Sequence, residues 1–287
     1  MSATKTQTWT DDPAPLLRAG KGFRLDKVDP ESTPGYDGGK KAGKKFLKEC
    51  FSELDDLQER LFAAHHEDEA GPAVLLVLQA MDTAGKGGIV RHVVGAVDPQ
   101  GVELAAFKKP TKEELSHDFL WRIRPKVPGP GMIGVFDRSH YEDVLIGKVR
   151  ELADEKEIER RYEAINDFEA ELAEAGVRIV KVMLHISPDE QKDRLMERLD
   201  RPDKYWKYNP GDVDERLLWP DYMKAYQTVF ERTSTKAAPW HIVPGNRKWY
   251  ARLAVQRLLL NALEDIDPQW PAADFDIDVE RERLAES

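Results

Sequence analysis

The spacing of apolar residues changes twice within the first hundred positions, and each change predicts an element. From Lys41 onward, Leu47, Cys50, Phe51, Leu54, Leu57, Leu61 and Phe62 recur at three- and four-residue steps, which predicts one amphipathic helix ending before Gly71-Pro72. Val74 to Leu78 is then an unbroken apolar run, the pattern of a strand buried on both faces of a parallel sheet. A glycine-rich turn follows, and helical spacing resumes over Ile89 to Val97. Further strands are predicted at Val102 to Phe107, Met132 to Phe136, Arg178 to Ile186 and Trp240 to Val243. Helical stretches separate most of them, best defined at Glu157 to Ala175 and Val213 to Phe230. This alternation implies βαβ crossovers, hence an α/β fold in which helices sandwich a parallel sheet and ligands sit at the carboxyl ends of the strands.

The prolines and glycines of residues 1–40 show no sustained period and predict an irregular N-terminal arm. Residues 41–264 form the expected main domain, and residues 265–287 an acidic C-terminal extension.

Composition narrows the class. Among 287 residues, 41% are hydrophobic and 33% charged, as in a soluble globular protein, and Cys50 alone cannot form an internal disulfide or a paired-thiol metal site. No apolar run approaches the ~18 residues that cross a bilayer, and the stretch from Met1 to Asp12 lacks a basic-then-apolar signal pattern, so a cytoplasmic protein without a membrane partner is expected. The net charge of -10 is unevenly spread: residues 263–287 carry -7 of it, while residues 1–48 carry +4. Because local fields decay over about 8 Å in physiological salt, a positive groove can coexist with that acidic end.

The chemistry begins directly after the first strand. Gln79-Ala-Met-Asp-Thr-Ala-Gly-Lys-Gly-Gly-Ile89 joins strand to helix, the setting of a phosphate-binding P-loop. Ala84, Gly85, Lys86, Gly87 and Gly88 supply close backbone approach, amide donors and one mobile positive charge. Ala80 stands where such loops begin with glycine, and Gly87 where a magnesium-binding hydroxyl is usual, so Asp82 is the candidate replacement ligand for a hard cation. A second apolar strand ends in Asp137-Arg138, which resembles a Walker B strand, with Asp137 as a second metal ligand and Arg138 placed to neutralise phosphoryl oxygens. Arg194 and Arg198 lie four apart and share one helical face, as a lid closing over phosphate requires. A plain strand-to-helix connection and a solvated charged helix are the competing readings of these segments. Lys40, Lys41, Lys44, Lys45 and Lys48 read either as a solvated face or as a docking rail for a long anion. His140 is a candidate supporting group behind the site. No nucleic-acid-binding signature accompanies the lysines, so no nucleic-acid partner is expected.

Together these residues resemble the polyphosphate kinase 2 family, P-loop phosphotransferases with a thymidylate-kinase-like α/β/α sandwich and a helical lid. The resemblance spans roughly Leu25 to Arg257 and rests on Ala80-Met-Asp-Thr-Ala-Gly-Lys-Gly-Gly88, Phe107-Lys-Lys-Pro110, His117-Asp-Phe-Leu-Trp121, Phe136-Asp-Arg-Ser-His-Tyr-Glu-Asp-Val144 and the Arg194 to Lys207 segment. It implies phosphoryl transfer between inorganic polyphosphate and adenine or guanine nucleotides, supported by Mg²⁺ or Mn²⁺, with a lid at about 189–212 and assembly as a homo-oligomer. Residue by residue, it implies that Asp82, Lys86, Asp137, Arg138, Arg194 and Arg198 are catalytic and that Lys108 joins the loop on phosphate. Arg138, Glu142 and Asp143 would meet the nucleotide, in a stretch resembling the subgroup that accepts both AMP and ADP. Two other readings of the same P-loop remain: an ATP-dependent nucleotide or small-molecule kinase, and a noncatalytic binding protein.

Overall fold

The computed structural model describes residues 9–287; the first eight residues of the expected arm lie outside the described residues. Five parallel strands, β1 (Ala73–Ala80), β2 (Val102–Ala106), β3 (Ile133–Asp137), β4 (Val177–His185) and β5 (Trp240–Pro244), form one sheet in the order β2-β3-β1-β4-β5. The order reverses at β1, so the loop leaving its carboxyl end opens onto the crevice where such sheets bind ligands. All eight residues of β1 are buried, which explains its continuous apolar run.

Side-chain alternation along β1 divides the core in two. Val74, Leu76, Leu78 and Ala80 join the core under α2 (Lys40–Glu49), α3 (Phe51–His65), α4 (Lys86–His92) and α10 (Lys248–Ile266). Ala73, Leu75 and Val77 face the other core, with α5 (Glu142–Val149), α6 (Glu155–Glu174) and α9 (Trp219–Thr233). The apolar stripe of α6, Ile158, Tyr162, Ile165, Phe168 and Leu172, is spent entirely in this second core.

Three elements differ from the expected boundaries. The single helix expected from Lys41 is two, α2 and α3, broken at Cys50. The α2 axis is held against α10 by a close approach in which a Cβ on Gly43 would overlap the Trp249 ring. The stretch expected as one helix from Val213 is also split, into α8 (Gly211–Leu217) and α9, because Pro220 cannot continue a preceding helix but fits the first turn of a new one. The lid begins with α7 (Pro188–Asp200) and continues through a 3-10 segment at Pro202–Lys207 into α8.

The N-terminal segment has little regular structure beyond α1 (Pro13–Leu17), yet it is built into the body. Ala19 N–H donates to the Trp240 carbonyl and Arg18 pairs with His241, which covers the β5 edge, while Tyr36 is buried between Phe46 and Trp249. The C-terminal extension carries one helix, α11 (Ile277–Ala285), with no buried residue. No helix among the described residues is long and apolar enough to cross a membrane.

Candidate active site

The loop after β1 carries its strain where the chemistry is expected. Thr83 sits at φ 65° and Arg138, just past β3, at φ 64°, both in the left-handed region that side-chain-bearing residues rarely adopt. Gly85 is at φ 120°, a conformation open to glycine. The turn brings α4 to start at Lys86, and the N–H groups of Gly85, Lys86 and Gly87 have no acceptor among the described residues, so they are free for an anion. The Lys86 ammonium reaches back to within 3.4 Å of the Ala80 carbonyl.

Around this loop lies a cleft of about 580 Å³. Nine cations line it, Lys86, Arg91, Lys108, Arg138, Arg198, Lys204, Lys207, Lys248 and Arg252, against only two carboxylates, Asp82 and Asp137. In a chain of net charge -10, such a concentration makes a positive trough suited to a chained polyanion. His92 also lines it; burial and the neighbouring arginines Arg252 and Arg91 lower its pKa, so it is neutral at pH 7.

A second cavity of about 230 Å³ adjoins the first and has the opposite character. Asp82, Glu142, Asp212 and Glu215 line it with Arg138 as its one cation, over an apolar floor that includes Met81, Leu145, Ile146, Tyr222 and Tyr226. The two cavities share Asp82 and Arg138, whose carboxylate and guanidinium are 3.2 Å apart. Burial opposes the Arg138 charge, but Glu142, Asp82 and Asp137 outweigh it and hold its pKa above the ordinary value. Burial pushes the Glu142 carboxyl up, against the pull of Arg138 and Lys86.

The structure brings Asp82, Lys86, Asp137, Arg138, Arg198, Lys108 and the Ala84–Gly88 turn to the basic cleft, and Arg138 and Glu142 to the acidic cavity. Two expected residues are elsewhere. Arg194 is buried and lines neither cavity; its guanidinium donates to Glu190 and to the carbonyls of Thr83, Ala84, Gly245 and Asn246. With every N–H so engaged, it braces the loop from behind instead of facing phosphate. Asp143 also lines neither cavity, because adjacent helical residues point about 100° apart. It lies between Arg122 and Arg161, each at 3.7 Å, on the other side of α5.

Behind the site, His140 is buried and its Nε2 is 3.4 Å from Glu169, which also accepts from the Tyr141 hydroxyl at 2.7 Å and pairs with buried Lys181. Burial works against the Glu169 charge, but Lys181 and His140 prevail and keep the carboxyl below its ordinary value. Gln191, buried on α7, donates to the Asp82 carbonyl at 3.1 Å and accepts from Arg216 of α8 at 3.0 Å, tying the lid to the loop.

Sequence reasoning missed Lys248 and Arg252 in the cleft, and Asp212, Glu215, Tyr222 and Tyr226 in the cavity. The first pair carried a signal: cations one turn apart at the start of α10, with no acid in its first turn, oppose the helix macrodipole and so suggest another purpose.

A family model described as polyphosphate kinase 2 (PPK2) matches residues 39–271. The AMP/ADP-polyphosphate phosphotransferase of Meiothermus ruber is 44% identical over 249 residues, covering 87% of this chain and 91% of that protein. The ADP-polyphosphate phosphotransferase of Rhodopseudomonas palustris is 39% identical over 275 residues, covering 89% and 91%. Among solved structures, polyphosphate kinase 2 from Arthrobacter aurescens TC1 superposes with a TM-score of 0.95 at 61% identity, over 98% of this chain and 99% of that one.

Proposed function

The chain belongs to the polyphosphate kinase 2 family, and from that premise we propose that it transfers the terminal phosphoryl group of inorganic polyphosphate to AMP and ADP, reversibly. The observation that carries this reading is the meeting of a basic trough and an acidic cavity at the Asp82–Arg138 pair. The trough suits a chain of phosphates. The cavity admits a phosphate only where Arg138 offsets its carboxylates, and its apolar floor suits a nucleoside.

In this arrangement the end of polyphosphate lies on Lys86 and the free amides of Gly85 and Gly87. An oxygen of the acceptor's phosphate, entering beside Arg138, attacks the terminal phosphorus while the bond to the bridging oxygen breaks, and the shortened polyphosphate takes up the leaving electron pair. The attacking oxygen is already anionic at neutral pH, so positioning and charge compensation suffice and no covalent enzyme intermediate is needed. Arg138 and Arg198 supply that compensation.

Asp82 and Asp137 fit a divalent cation. The Asp137 carboxylate has no side-chain partner among the described residues, and Asp82 engages only one oxygen, with Arg138. No cluster of three His, Cys, Asp or Glu ligands occurs among the described residues, which suits Mg²⁺ or Mn²⁺ held by one or two carboxylates together with substrate oxygens and water. When bound, the cation neutralises phosphate oxygens.

The test is a matrix of polyphosphate or ATP as donor against AMP, ADP and GDP as acceptors, with Mg²⁺. ADP or ATP formed from polyphosphate, falling at least about 100-fold in Asp82→Asn, is the expected result. Turnover with ATP alone as donor would make the chain an ATP-dependent kinase instead.

A further inference from the structure

Four carboxylates face the acidic cavity, and three are already committed. Asp82 faces Arg138 at 3.2 Å with one oxygen and keeps the other for the divalent cation argued above. Glu215 has both oxygens engaged, one by Arg150 at 2.8 Å and the other by the Tyr222 hydroxyl. Glu142 is half-buried at the Gln79 end of the cavity, where burial raises its pKa against the pull of Arg138, and one of its oxygens is 2.9 Å from the Gln79 side-chain amide. Asp212, at the start of α8, is different. Its Oδ2 accepts from Arg198 at 3.2 Å, while no side chain among the described residues donates to its Oδ1, and the residue lines the cavity.

A carboxylate oxygen with no side-chain donor, on the wall of a cavity poor in cations, is matched by a neutral group that offers an N–H or O–H. We propose that Asp212 is a specificity-determining residue, accepting a hydrogen bond from the nucleoside part of the acceptor, a ribose hydroxyl or an exocyclic amine; this rests on the acceptor's occupying the acidic cavity as argued above. The same side chain holds Arg198, which lines the basic cleft. Asp212 therefore stands between the two substrates, and the lid that carries it inspects the acceptor as it closes over the donor. Selectivity of this kind is strong, since a buried acceptor left without its donor penalises any analogue that lacks the group.

The test compares AMP with its 2′-deoxy, 3′-deoxy and inosine counterparts in the wild type, Asp212→Ala and Asp212→Asn, by kcat/KM with polyphosphate and by calorimetric Kd without it. The wild type is expected to disfavour at least one analogue by about 10- to 100-fold. In Asp212→Ala that ratio falls to within about threefold of unity because AMP binding weakens while that of the analogue does not, and Asp212→Asn, which keeps an acceptor oxygen, retains part of it. A wild type indifferent to all three analogues, or an Asp212→Ala variant with its ratios intact, would overturn the proposal. So would a variant in which only the KM for polyphosphate rises, since Asp212 would then merely brace Arg198. If no phosphoryl transfer from polyphosphate occurs at all, the proposed function fails, and the Kd ratios still decide the role of Asp212.

Discussion

Position 85 needs a glycine and position 87 does not, although both belong to the same Gly-Lys-Gly-Gly turn. Gly85 lies at φ 120°, where an added Cβ is strained whatever the space, whereas a Cβ on Gly87 meets nothing within 4 Å. Gly85→Ala is expected to cost about 1–3 kcal/mol and, by displacing the loop amides, at least about 100-fold in turnover. Gly87→Ala is expected to leave stability unchanged or raise it by up to about 1 kcal/mol, since alanine suits the first turn of α4 better than glycine. Urea unfolding of the two variants checks this, and equal destabilisation would contradict it. The same scale explains why adjacent Glu142 and Asp143 were not separable by motif. One helical step turns them to different neighbours, one toward the acidic cavity and one toward Arg122 and Arg161.

Elements were legible where burial writes directly into the sequence. Four of the five strands show as apolar runs because they are sealed between helices, and the loop after β1 was recognisable because phosphate binding needs glycine, lysine and a helix start in that order. Element junctions were less legible. The apolar period runs through Cys50 without a change, so the turn between α2 and α3 leaves no mark in it. Arg194 and Arg198 share a face of α7, but that face runs from the buried loop to the open cleft. One turn of helix therefore separates a brace from a phosphate contact. The acidic cavity was invisible for a different reason: its residues come from β1, α5, α8 and α9, and only the closed fold brings them together.

At the scale of the whole molecule, charge is sorted by place. Residues 263–287 carry -7 of the net -10, and the basic cleft lies at the opposite end of α10, where Lys248, Ala251 and Arg252 face the loop. The fold also excludes protons from two strand ends. Burial lowers the pKa of His185 on β4 and of His241 on β5 from 6.5 to about 4. Between those values the unfolded chain binds a proton that the native state refuses, so their contribution to stability is complete above pH 6.5 and declines toward pH 4. Each adds up to about 1.4 kcal/mol per pH unit to the slope. Urea midpoints at pH 7.5 and pH 5.0 should therefore differ less in His185→Gln and in His241→Gln than in the wild type, and an unchanged difference would contradict the burial argument.

In the proposed reaction, phosphoryl groups pass from a chain in the basic cleft to a nucleotide in the acidic cavity. Incubating the protein with ³²P-labelled polyphosphate, Mg²⁺ and unlabelled ADP, then locating the label by chromatography and hydrolysis, tests it most directly. At early times label is expected in ATP at the γ position, removed by Lys86→Met; nucleotides that stay unlabelled while the polyphosphate remains intact would contradict it.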